Sequence, residues 1–264
     1  MTFETKGFLS PDIEDWRREF VAANAKGFEL ANEVNTLAQT LAFNTSLKNN
    51  DQTAHQNLLA LQLLSRSLSN FQGAVLMAER GMTIEARTLI RSCLESTFFL
   101  GALGNKEYDL IERMLRADVV DKKKLADTLH KTPDFLDIAD EDMLASLDQM
   151  KQRAAAHPAA PKIQYEELSK KADMQGMYAI YRQLSGDSAH PTISSLKHYL
   201  DPAEKAIVSV VFGPDANVKE MAATMGLACN VIVGACVAFN VIAKDLDFDA
   251  KLREVFRKIV ECWN

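Results

Sequence analysis

No charged side chain occurs anywhere in residues 221–243, a stretch long enough to cross a bilayer as a helix. A helix that apolar has two homes, lipid or the centre of a protein that surrounds it on most sides. Thr224, Asn230 and Asn240 interrupt the run, and alanines and glycines dilute it. Its flanks are balanced, with Lys219-Glu220 before and Lys244-Asp245 after, so they lack the positive excess that orients a membrane span. The run reads as a central core helix, and no membrane segment is expected. A central helix requires a shell of amphipathic helices around it.

The rest of the chain supplies that shell. Trp16, Phe20, Ala23, Gly27, Leu30, Val34, Leu37 and Leu41 recur at intervals of three and four, the helical period. Ser10-Pro11-Asp12 opens this helix, which runs to about residue 47 with a break expected near Gly27. Leu58, Leu61, Leu64, Leu68, Phe71 and Val75 repeat the pattern from Thr53 until Gly81 stops it. A third helix covers residues 84–103 and is ended by Gly101 and Gly104. A short glycine-bearing link predicts that the second and third helices pack antiparallel.

Further helices are predicted from Glu107 to His130, from Asp137 to Ala156, from Tyr165 through Tyr181, and from Asp249 to Trp263. Ile207-Val208-Ser209-Val210-Val211-Phe212 is the one strand candidate, being rich in β-branched residues. The fold class is therefore all-α, a multi-helix bundle with antiparallel core helices and little or no β structure.

A chain of 264 residues can bury one large core. Residues 1–264 are read as one helical domain, with a loop or lobe break around 157–164, where His157-Pro158-Ala159-Ala160-Pro161 cannot continue a helix. The four cysteines form no Cys-x-x-Cys pair, and Met1-Thr2-Phe3-Glu4-Thr5-Lys6 lacks the apolar core of a secretory signal, so a reducing, cytoplasmic setting is expected. A net charge of −6 gives no reason to expect a broad nucleic-acid surface, and no DNA-binding motif is present. The run Asp121-Lys122-Lys123-Lys124 reads as a solvated helix face. His55, His130, His157, His190 and His198 show no metal-ligand spacing, so neither a metal nor a cofactor is expected. Gly226, Asn230, Gly234 and Ala238 put small groups on one face of the long helix, suited to close helix packing within the domain or across a homo-oligomer interface. Asn230 is expected to hydrogen-bond to a partner helix.

Two polar constellations stand out. Arg87, Arg91 and Glu95 are spaced four apart, so they share one face of a helix that is apolar around much of its circumference. A polar line there must be partnered or must reach a cavity. It can be a pocket in which two arginines bind an anion, or an internal ion-pair network that fixes how helices pack. The second constellation is Tyr181-Arg182, Ser185 and His190. Histidine, serine and arginine can work together on a phosphate ester, with histidine as acid/base and arginine holding the charge, and Arg182 and His190 are the candidate catalytic pair. The same residues can also cap and turn the chain. One of Tyr181, Arg182 and His190 is expected to pack against the Arg87/Arg91/Glu95 line.

Ile84-Glu85-Ala86-Arg87-Thr88-Leu89-Ile90-Arg91-Ser92-Cys93-Leu94-Glu95, followed by Tyr181-Arg182-Gln183-Leu184-Ser185 and His190-Pro191, resembles an uncharacterised bacterial family of helical domains. The resemblance covers roughly residues 55–200 and implies a helical fold without an assigned reaction. A more distant likeness is to HEPN-type helical bundles, which include metal-independent ribonucleases. Their arginine and histidine are separated by four to six residues, whereas seven lie between Arg182 and His190 here. That likeness implies a phosphate-binding Arg182, an acid/base His190 and an RNA partner. Two functions stay open: a polar Arg/Glu/Tyr/His pocket that binds an anionic ligand or a macromolecular partner (RNA or protein), and an endoribonuclease. A purely structural network in an interaction protein is the third reading.

Overall fold

The computed structural model describes residues 3–45, 53–155, 162–189, 191–200, 213–214 and 217–263. Among them every regular element is helical and no strand forms. The strand candidate at Ile207 and the proline-bearing stretch at Pro158 lie outside the described residues. In chain order the helices are α1 (Phe3–Lys6), α2 (Ile13–Ala23), α3 (Ala25–Asn44), α4 (Ala54–Ala78) and α5 (Thr83–Gly104). There follow α6 (Leu110–Leu129), α7 (Pro133–Leu136), α8 (Glu141–Ala155), α9 (Tyr165–Lys171) and α10 (Gln175–Leu184). A π-helical turn (Ser185–Ala189) leads to α11 (Ile193–Leu196), α12 (Val218–Ala243) and α13 (Leu246–Trp263).

The uncharged run is α12, and it is the axis of the bundle. It packs on α3, α4, α5 and α13, which seal Cys229, Ile232, Cys236 and Phe239 from solvent. By length and composition α12 could cross a membrane, yet 67% of its most apolar stretch is buried within the protein. Its polar interruptions each have a local explanation. Asn240 clamps the turn into α13: its Nδ2 donates to the Asp245 carbonyl (2.9 Å) and its Oδ1 accepts from the Asp245 N–H (3.2 Å). Asn230 departs from expectation. It is exposed, and its amide donates back to the Gly226 carbonyl of its own helix (2.9 Å) rather than to a partner helix. The small residues serve side chains of this same chain: Gly226 lies against the Trp263 indole, and Gly234 against Met177.

α4 and α5 form the expected antiparallel pair. Gly81 takes a left-handed φ of 70°. The Met82 N–H reaches the Met77 carbonyl and the Gly81 N–H the Ala78 carbonyl, the bonding pattern that ends a helix on a glycine. The first long helix breaks at Asn24 rather than at Gly27, because the Asn24 amide folds back on the Phe20 carbonyl (2.8 Å).

A second departure positions the site. The helix expected to run from Tyr165 through Tyr181 is interrupted after Lys171, where Asp173 adopts a left-handed φ of 56°. The Met174 N–H caps back on the Ser169 carbonyl (2.8 Å). The corner seats on Gly101, which lies within α5 rather than ending it. A Cβ at Gly101 would stand 2.5 Å from the Ala172 Cβ, so only glycine admits the corner so close. α6 touches α5 near its start and then diverges to pair with α8.

Burial sets thiol reactivity. Cys93, Cys229 and Cys236 are buried, and burial pushes the Cys93 thiol up to about 12 and raises the other two as well. Cys262 is only partly buried. An aromatic disulfide reagent is therefore expected to modify one thiol per native chain rapidly, at Cys262, and the remaining three only on unfolding. A second fast thiol in the native protein would contradict this packing.

Candidate functional site

α5 carries Arg87, Arg91 and Glu95 along the face that meets α10, the π turn and the start of α12. Arg87 has only 13% of its side chain exposed. Its guanidinium lies 3.0 Å from Glu220 and 3.6 Å from Asp187, and its Nε donates to Thr224 Oγ1 (3.2 Å). Glu220 stands in the first turn of α12, where a carboxylate is favoured by the helix dipole. It also faces His198 Nδ1 at 3.3 Å. Thr224, one turn on, donates to the Glu220 carbonyl (2.8 Å) while accepting from Arg87. Arg87 thus joins three parts of the chain that are distant in sequence.

One turn along, Arg91 ties α5 to the end of α10 and the π turn. Its Nε donates to Ser185 Oγ (2.9 Å), its terminal nitrogen to the Tyr181 hydroxyl (3.3 Å), and it pairs with Glu95 at 2.8 Å. The guanidinium also lies over the Tyr181 ring, 5.3 Å from its centroid. Tyr181 is buried and sits among Tyr165, Tyr178 and Phe98, with ring centroids 5.0, 5.8 and 6.0 Å away. Tyr165 lies beside Glu95, and burial, followed by the Glu95 charge, raises its pKa and keeps it neutral. π turns recur at functional positions in helices. Here the turn brings Ser185 to Arg91 and Asp187 to Arg87.

The structure therefore brings together Arg87, Arg91, Glu95, Tyr181 and Ser185. Arg182 stands apart. It is exposed, one residue round α10 from Tyr181, and its charge acts on Glu166 of α9, whose carboxyl is lowered chiefly by Lys170. His190 lies outside the described residues.

A cleft opens on the other side of Tyr165. Where α6 diverges from α5 it leaves a cavity of about 510 Å³, walled by Phe99, Met114, Ala117, Val120, Ile163 and Tyr165. Asp121, Lys124 and Lys162 complete its lining. Met114, Ala117, Asp121 and Lys124 recur at three and four residues, so one face of α6 forms the wall. Tyr165 thus links the cleft to the network: its ring lines the cavity and its hydroxyl meets Glu95. Among the described residues no group of three or more His, Cys, Asp or Glu side chains is placed to hold a metal.

A family model described as a family of unknown function, DUF5677, matches residues 57–207, more than half of the chain. The chain belongs to DUF5677. No curated protein and no solved structure matches it. The match takes in the DUF5677 chain from α4 past α11, and with it Arg87, Arg91, Glu95, Tyr181 and Ser185. It stops short of α12, so Glu220 and Thr224, which hold Arg87, belong to the part of the chain beyond it.

Those two residues, with Asp187 and Tyr165, are the members that sequence reasoning did not place in the network. Glu220 and Thr224 carried a usable signal. They lie four apart at the start of an otherwise apolar helix, the spacing that matches a polar line on a facing helix. The wall of the cleft carried none, because Met114, Ala117 and Val120 read as ordinary core positions. Lys124 lies on an exposed face, as read, and also borders the cavity.

Proposed function

We propose that this DUF5677 protein is a non-catalytic binding protein that takes a small, apolar-bodied molecule into the cleft between α5, α6 and residues 162–165. The observation that carries this reading is the cleft itself. About 510 Å³ falls inside the roughly 300–1,000 Å³ usual for small-molecule sites, and six apolar or aromatic side chains with a few polar groups are the usual lining. The Arg87/Arg91 network has a different part to play. Arg87 is answered by Glu220 and Asp187, and Arg91 by Glu95, so an incoming anion would have to displace a carboxylate of the chain. Its role is to hold α10 and the π turn on α5, and through Glu95 to fix the Tyr165 wall.

The ribonuclease reading needs Arg182 and His190 to converge on an open cleft. Arg182 lies on the α9 side of α10, near Glu166, and gives that reading no support.

The test uses N-phenyl-1-naphthylamine, a neutral dye that brightens in apolar sites. Saturable binding is expected to the wild type and to Leu115→Trp, since Leu115 is 60% exposed and does not line the cleft. Ala117→Trp fills the cavity and should abolish binding. Dye that fails to saturate the wild type, or that ignores Ala117→Trp, overturns the proposal.

A further inference from the structure

We infer that the molecule received by this cleft carries an anionic head, a carboxylate on an aliphatic or aromatic body, held between Lys124 and Lys162. The inference rests on the binding role proposed above and adds the chemistry of the ligand. Its basis is how charge is distributed around the cavity. The apolar groups line one continuous surface from α5 across to α6, while the charged groups of the lining are two lysines and one aspartate. Asp121 lies 3.0 Å from Lys124 and offsets one of the two positive charges. An excess positive charge therefore remains at the cavity of a chain whose overall net charge is −6.

The contrast with the neighbouring network is informative. There every arginine meets a carboxylate of its own chain, and the acids outnumber the two arginines. At the cleft the balance is reversed. An ammonium has three donors, so Lys124 keeps two for a ligand oxygen after meeting Asp121. Lys162 is exposed and stands three residues before Tyr165, in the short segment that leads into α9. A carboxylate between these lysines leaves its apolar body beside Met114, Val120 and Phe99. The apolar body supplies most of the affinity, and the lysines select the head and fix which end enters first.

Decanoate and decanol, held below the concentrations at which they aggregate, separate the two contributions, because they share a body and differ in the head. Each is titrated against the bound naphthylamine dye in the wild type and in Lys124→Glu/Lys162→Glu. Both lysines are exposed, so the double variant is expected to fold, and a far-UV circular dichroism spectrum and melting temperature matching the wild type verify it. Charge reversal should weaken decanoate on the order of tenfold, a modest factor because exposed charges are screened, and leave decanol unchanged. Raising the salt should weaken decanoate in the wild type alone. Decanoate affinity equal in both proteins, with dye still bound, overturns the anionic head and leaves the cleft reading standing. Dye binding absent from the wild type overturns both.

Discussion

Arg87→Met is expected to remove about 3 kcal/mol of folding stability, measured by urea unfolding, because it leaves Glu220 and Asp187 facing a largely buried space without their cation. Removing one member of a buried ion pair typically costs about 3–5 kcal/mol. The lower end applies here since Glu220 and Asp187 keep about a quarter of their side chains exposed, 23% and 24%. The loss is one of compensation rather than of packing, since methionine retains the stem of the arginine. Adding Glu220→Gln and Asp187→Asn should therefore restore most of the stability, because no unpaired charge is then left behind. A cost below about 1 kcal/mol for Arg87→Met would mean that the network does not hold α12 and the π turn to α5. A triple variant no more stable than the single one would place the effect in packing instead.

Tyr181→Ala should be as damaging, at about 3–5 kcal/mol, the range for deleting a buried aromatic side chain. Tyr181 is 8% exposed, and its ring contacts Phe98, Tyr165 and Tyr178 while carrying the Arg91 guanidinium on its face. Tyr181→Phe keeps the ring and loses only the 3.3 Å hydrogen bond from Arg91, so its cost should be about 1 kcal/mol. The pair of variants separates ring packing from the polar bond. Hydrogen exchange gives a spatial check: in Tyr181→Ala the amides of α10 and the π turn should lose protection well before those of α12, which is buried by four other helices. Uniform loss across the chain would show that α10 is not a separable layer on α5.

Much of the architecture is legible in the sequence. The uncharged run had to be enclosed, and periodic Leu and Phe residues in what became α3, α4 and α5 supplied the enclosing faces. Gly81 marked the turn between α4 and α5 because a left-handed residue there needs no Cβ. The break between α9 and α10 was hidden, since Asp173 is an unremarkable residue in a helical pattern and the cause lies at Gly101, far away in sequence. That glycine was read as a helix end, when its function is to let Ala172 approach α5.

The Arg87/Arg91/Glu95 line was legible for a local reason: a spacing of four puts all three side chains on one face of an apolar helix, and buried charge demands partners. Which partners was not local information. Asp187, Glu220 and Thr224 reach Arg87 through the packing of α12 and the π turn on α5, across sequence separations that no periodicity measures. The cleft is more remote still, because it exists only where α6 diverges from α5, and a divergence between helices leaves no mark on either one. The sequence by itself determined that an uncharged central helix would be wrapped by amphipathic ones, and that α5 would carry a polar face needing answers. The tertiary structure alone decided that Asp187 and Glu220 meet Arg87, and that the open space lies on the other side of Tyr165. Hydrophobic periodicity is written along one helix, whereas charge pairing and cavities depend on the distances between helices.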